Sequence, residues 1–213
     1  MKMYFLWILF LWVIISCGQK EEKNPYIPVS TFDAATQISD NKNSQDSIIW
    51  YTDLESLPAN LDLVTHLSLR EKGYDEIPAV IFKFKNLKTL DLSLHNISAI
   101  PEEISRLSQL ESLTMAYGHL ESIPPSIAKL KKLKELNFLY NDLKSLPESI
   151  GELDELEELN MNGNPISVIP ETLFNIQGLK FLGLKQPGEA SLFSASKQEE
   201  IRRRLPNCTV KFY

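Results

Sequence analysis

The sequence predicts an α/β solenoid: a right-handed coil with a parallel, concave β-sheet, an irregular or 3-10 convex side, and a short C-terminal capping helix. Three observations predict it. An apolar pattern restarts at Val64, Leu87, Leu110, Leu133, Leu156 and Leu179, a constant step of 23 residues, and self-similarity at such a period marks stacked repeats. With each start counted as position 1, positions 4 and 6 are apolar throughout, as in Leu90 and Leu92 or Leu136 and Phe138, the alternation of a short strand with one face in a core. Position 15 is proline five times running, at Pro78, Pro101, Pro124, Pro147 and Pro170. The spacing of Ile127, Leu130, Leu133 and Leu136 also fits an amphipathic helix. Proline inside a helix costs about 3 kcal/mol, so a turn recurs there, followed by a convex return in which residues such as Ile104 and Leu107 close the core.

Taken in order, the chain opens with Lys2 and an apolar or aromatic run over 4–15. That run matches the roughly 7 to 15 residues of a signal-peptide core and falls short of the roughly 20 that span a bilayer. Ile14-Ile15-Ser16-Cys17-Gly18 resembles the bacterial lipobox, which implies that 1–16 is a lipoprotein signal peptide and that Cys17 becomes a diacylated N-terminus. An ordinary secretory signal and an uncleaved anchor are the blander readings. Gln19-Lys20-Glu21-Glu22 is similar to the export signal of surface lipoproteins in the Bacteroidetes group, and it reads equally as the charged start of a tether. Residues 17–45 are polar, with Pro25 and Pro28 and little apolar area, so they form a flexible tether. Its ends lie about 30 Å apart by random-coil scaling.

The repeat domain occupies 46–186. Its first unit, 47–58, is irregular, with Ile49, Leu54 and Leu57 matching positions 6, 11 and 14. Trp50 and Tyr51 then serve either as an edge-covering cap or as ligand contacts. At position 9, Asn141 and Asn164 have amides suited to unpaired backbone groups at the bend, while Lys72, His95 and Gly118 depart from that pattern. Residues 187–213 form a cap. Ser196-Lys197-Gln198-Glu199 reads as a capping box opening a helix to about Leu205. Arg202, Arg203 and Arg204 at its end complement the helix dipole, with an anionic site as the sharper alternative. Leu205, Cys208 and Val210 then repeat positions 1, 4 and 6 as a last strand, with Cys208 a buried small hydrophobe.

The full pattern, L-x-x-L-x-L-x-x-N-x-L-x-x-[IL]-P-x-x-[IL]-x-x-[LIF], resembles the leucine-rich repeat family in its 23-residue form, also seen in bacterial lipoproteins and Ras-group scaffold proteins. The resemblance covers 47–186.

Chemistry is sparse. A net charge of −6 and a pI near 5.2 exclude a phosphate-tracking surface, so no nucleic acid partner is expected. His66, His95 and His119 fall at positions 3, 9 and 10 of different repeats, which predicts no metal site. No nucleophile–base arrangement and no phosphate-cradling glycine loop is present, and the carboxylates of 152–158 are interleaved with core leucines as a solvated face. The expectation is a protein without catalytic residues or cofactor. Function then falls to positions 3, 5, 7 and 8, which are expected to face solvent on the concave side. They give an apolar patch of Leu94, Tyr117, Leu139 and Tyr140 flanked by Arg70, and a polar zone of Glu135, Asn137, Glu158, Asn160 and Asn162. Aromatic and Arg anchors with a polar rim suit a protein partner. The plainer reading is that position-8 side chains fold over the rim and pack locally. A glycan-binding role and a structural, envelope-organising role are the alternatives. The expected setting is a monomer lipid-anchored in a bacterial envelope, at the outer membrane or on the cell surface.

Overall fold

The computed structural model describes residues 48–188 and 191–213; the expected signal peptide, Cys17 and the tether lie outside them. Eight strands form one parallel sheet in chain order. They are β1 (Trp50–Tyr51), β2 (His66–Ser68), β3 (Thr89–Asp91), β4 (Ser112–Thr114), β5 (Glu135–Asn137), β6 (Glu158–Asn160), β7 (Phe181–Gly183) and β8 (Thr209–Lys211). From β2 to β7 the register runs position against position, Leu90 beside Leu113 and Leu113 beside Leu136, so the constant 23-residue step becomes a stack of coils.

Each position-15 proline caps a 3-10 turn. The turns run Ala79–Lys83, Glu102–Arg106, Pro125–Lys129, Glu148–Glu152 and Glu171–Asn175. A helical N-terminus leaves its first N–H groups unpaired in any case, so proline's missing donor costs nothing there and its fixed φ aids entry. The apolar positions meet in one core. In the central coil Leu133, Leu136, Phe138, Leu143, Leu146, Ile150 and Leu153 are all buried. Where position 19 is Gly151, the next turn comes so close that a Cβ would overlap the Thr172 carbonyl.

Both ends depart from the sequence reading. At the N-terminus, β1 pairs Trp50 with His66 and Tyr51 with Leu67, which sets them at positions 3 and 4 and overturns the match of Ile49 to position 6. The physical reason is burial: Tyr51 packs against the core with Leu54 and Leu57, while Ile48 and Ile49 are left outside. Tyr51 is therefore cap, and Trp50 tilts over His66 with ring centroids 5.2 Å apart.

At the C-terminus the helix, α1, spans Ala195–Arg204, and its cap is Ser194, whose Oγ accepts from the Lys197 amide. Ser196 lies inside the helix, so the capping-box reading is corrected by two residues. Strand β8 pairs Val210 with Leu182, placing Val210 at position 4 and Phe212 at position 6. Cys208 falls at position 2 and is half-buried rather than core. Two of the three arginines at the end of α1 have local work. Arg204 pairs with Glu171 at 2.5 Å and lies 3.7 Å over the Phe174 ring, and Arg202 lies over Phe212. The hydrogen bond from Arg204 holds the Glu171 carboxyl below its ordinary range.

Candidate functional site

The candidate face is the last part of each strand and the bend beyond it. Position 8 makes the bend. Glu71, Leu94, Tyr117, Tyr140 and Gly163 all have positive φ, at 60°, 64°, 57°, 51° and 78°. That left-handed conformation turns the chain so that position 9 points inward and position 8 is carried onto the rim. Glycine adopts it freely, and an L-residue pays about 1 to 2 kcal/mol. Leucine and tyrosine therefore hold this place at a conformational cost. They remain exposed, Leu94 at 38% and Tyr117 and Tyr140 at 51% each.

The two tyrosine rings stack, centroids 5.2 Å apart and planes 24° from parallel. Tyr140 in turn lies on Gly163, where any Cβ would overlap its ring. Tyr140 is thus covered on both faces by neighbouring coils, leaving ring edges and hydroxyls outward. The expected patch is present, and it is also locally packed. Leu139 is partly exposed beside it. Arg70 is present at the flank but held, with Nη1 3.1 Å from Asp91 Oδ2.

The polar zone is less available than the sequence reading implied. Position-7 amides need acceptors, and two sources serve them. Where position 5 is Asp or Asn, that side chain bonds its own coil: Asp91 to the Ser93 amide at 3.0 Å, Asn137 to Leu139 at 3.2 Å, Asn160 to Asn162 at 3.2 Å. Where position 5 is Thr114 or Gly183, the preceding coil's position 7 supplies the acceptor. Ser93 Oγ takes the Ala116 amide at 3.1 Å and Asn162 Oδ1 takes the Lys185 amide at 2.8 Å. Asn160 is buried at 3%, which corrects its assignment to the solvent face: its oxygen is committed to a turn. Ser93 and Ala116, counted among the outward positions, are buried as well. Asn137 and Asn162 are half-buried with their oxygens engaged, and Glu135 is exposed.

Behind the face, position 9 completes the frame. Asn141 donates to the Met115 carbonyl at 2.7 Å and accepts from the Leu120 amide at 3.0 Å. Asn164 repeats this one coil on, with Phe138 at 2.7 Å and Leu143 at 3.0 Å. His95 does the same work in the earlier coil. Its Nδ1 accepts from the Tyr74 amide at 3.2 Å and its Nε2 donates to the Leu69 carbonyl at 2.6 Å. An amide can only donate, so Nδ1 must accept and the proton sits on Nε2. The sequence signal for this substitution was the position number alone. Gly118 leaves the one gap between them, and a Cβ there would press on the His95 carbonyl at 2.9 Å.

Among the described residues, no group of three His, Cys, Asp or Glu side chains could hold a metal ion, and no helix is long and apolar enough to cross a membrane.

Residues 109–166 match the family model described as leucine rich repeat. Solved structures share the fold. A leucine-rich repeat protein of Leptospira interrogans is 23% identical with a TM-score of 0.52, over 76% of this chain and 52% of that one. An internalin of Listeria monocytogenes is 23% identical with a TM-score of 0.58, over 71% of this chain and 41% of that one. The ectodomain of a plant membrane receptor kinase from Arabidopsis thaliana, in complex with Casparian strip integrity factor 2, is 30% identical with a TM-score of 0.54, over 70% of this chain and 18% of that one. The chain thus spans about half or less of the length of these relatives. No curated protein matches it. The sheet, the turns and these likenesses define a leucine-rich repeat solenoid.

Proposed function

We propose that this protein is a lipid-anchored, non-enzymatic binding protein that captures a protein partner on the concave face of its solenoid. Cys17 carries the acyl anchor, 17–45 is the spacer, and Leu94, Tyr117, Leu139 and Tyr140 form the contact, with Arg70 and Glu135 beside them and Asn137 and Asn162 at the margin. The anchor is assigned to the outer membrane of a bacterial envelope, since Gly18 stands where an inner-membrane retention signal would have Asp.

The observation that carries this reading is the Tyr117–Tyr140 stack in left-handed backbone. Residues that strain the bend and still stand half exposed are poor choices for a scaffold and good ones for an interface, where Tyr and Arg supply most of the binding energy. The covered faces of Tyr140 favour a polypeptide over a glycan, because a sugar needs an open ring face and a polypeptide can use edges and hydroxyls. The receptor ectodomain solved in complex with Casparian strip integrity factor 2 supports a binding role for a solenoid of this fold.

Crosslinking in intact cells followed by pull-down, with protease shaving as a control, tests partner and location together. A protein adduct on a shaving-sensitive or shaving-resistant lipoprotein fits the reading. A chain that binds glycans on an array and yields no protein adduct contradicts it.

A further inference from the structure

We infer that the solenoid carries a second surface, a basic flank along the returns of its first three regular coils that docks on a bilayer bearing anionic headgroups. This rests on the anchoring reading above and concerns a different part of the molecule from the tyrosine face.

The flank is the return from each 3-10 turn to the next strand. In the first three regular coils these returns are 82–88, 105–111 and 128–134, and together they hold eight Lys or Arg and one Glu, Glu111, all the cations being exposed. In the fourth coil the sign reverses: 151–157 holds Glu152, Asp154, Glu155 and Glu157 and no cation. In a chain of net charge −6, the returns have therefore sorted their charge, basic in the first three regular coils and acidic in the fourth.

Local needs account for only half of the cations. Lys88 and Lys134 share Glu111, Lys131 reaches Glu152, and Lys132 bonds Gln109. Lys83, Arg106 and Lys129, each the last residue of its turn, and Lys85 beside them make no ion pair. A cation complements the carbonyl end of a turn, yet the equivalent turns ending in Glu152 and Asn175 form without one. The column of one free cation per coil is thus surplus to the fold.

An anionic bilayer is the occupant the geometry favours. Attraction of Lys and Arg to such a surface falls off within a Debye length, about 8 Å at physiological salt. On the anchoring reading, a spacer of the length of 17–45, about 30 Å between its ends by random-coil scaling, lets the flank reach that range and supplies a high effective concentration. The acidic return 151–157 is repelled. The domain would then stand with the returns 82–88, 105–111 and 128–134 against the headgroups and the tyrosine face clear of them.

The test uses the full chain, purified from membranes and reconstituted into phosphatidylcholine vesicles with or without about one third phosphatidylglycerol. Amine-modifying reagent is followed at each lysine by mass spectrometry. Lys83, Lys85 and Lys129 are expected to react about three- to fivefold more slowly on the anionic vesicles, with Lys180 and Lys211 unchanged. Salt at about 1 M, where the Debye length is about 3 Å, abolishes the difference, and so does Lys83→Glu/Arg106→Glu/Lys129→Glu when read at Lys85. Equal labelling on both vesicles overturns the inference. So does protection by soluble polyglutamate without protection by phosphatidylglycerol, which assigns the flank to an acidic polypeptide. Failure to float with vesicles in high salt refutes the anchor itself, a separate result.

Discussion

His95 shows how much one side chain can hide in a repeat. At the place of Asn141 and Asn164 its two ring nitrogens reproduce an amide's donor and acceptor. His95→Asn should therefore leave stability within about 1 kcal/mol, whereas His95→Ala strands a buried amide and carbonyl and should cost about 2 to 4 kcal/mol. Urea unfolding midpoints of the two variants check this; equal losses would refute the equivalence. Its role was legible only after the register was known, because nothing in an imidazole's sequence context distinguishes a backbone partner from a ligand. Cys208 makes the opposite case. Burial pushes its thiol up to about 11, so at about pH 8 roughly one thiol in a thousand is ionised. Iodoacetamide should modify it slowly in the folded chain and at an ordinary rate in urea. Ionisation is opposed only in the folded state, so the linked stability is present below the thiol's ordinary value of 9.0 and lost as pH climbs toward 11.

At the scale of elements, the strands and turns were readable because leucine, proline and the 23-residue step repeat without slippage. The ends were not, because one irregular unit offers no second copy to fix its register. Ile49, Leu54 and Leu57 fit positions 6, 11 and 14 by spacing, and only the burial of Tyr51 decides otherwise. The Asn residues of the face were misread for a related reason: Asn160 looked like a contact until the position-7 amides needed an acceptor. Among the described residues one buried hydroxyl lacks a partner, Ser126 Oγ. Ser149 and Thr172, its counterparts, donate to Pro125 and Glu148 carbonyls of the preceding turn, and the carbonyl in line for Ser126, that of Glu102, is taken by Ser105. Register between coils has an electrostatic component too. Position 2 reads Lys88, Glu111, Lys134, Glu157, Lys180, with pairs at 3.7, 3.3 and 2.6 Å. Each exposed pair contributes only a few tenths of a kcal/mol. Glu111→Lys sets three cations in a row and should cost about 1 kcal/mol in dilute buffer, shrinking in high salt; a loss independent of salt would point to packing instead.

For the whole molecule, the fold confines function to surfaces, since the interior is a continuous apolar core and the frame behind the bend is saturated with backbone bonds. The sequence marked the aromatic column through position 8 alone. It did not reveal that the column occupies left-handed backbone, a property of the bend rather than of the residues. That property makes the central claim testable without confusing binding with folding. Tyr117→Asn/Tyr140→Asn puts residues tolerant of positive φ at both sites, so relief of strain offsets the lost stack and the unfolding midpoint should stay within about 1 kcal/mol of the parent. The decisive measurement is the affinity of the captured partner for parent and double variant, taken alongside their unfolding curves. The account predicts binding weakened at least about 100-fold, as expected for two central tyrosines, with folding intact. Unchanged affinity in a folded double variant would contradict it.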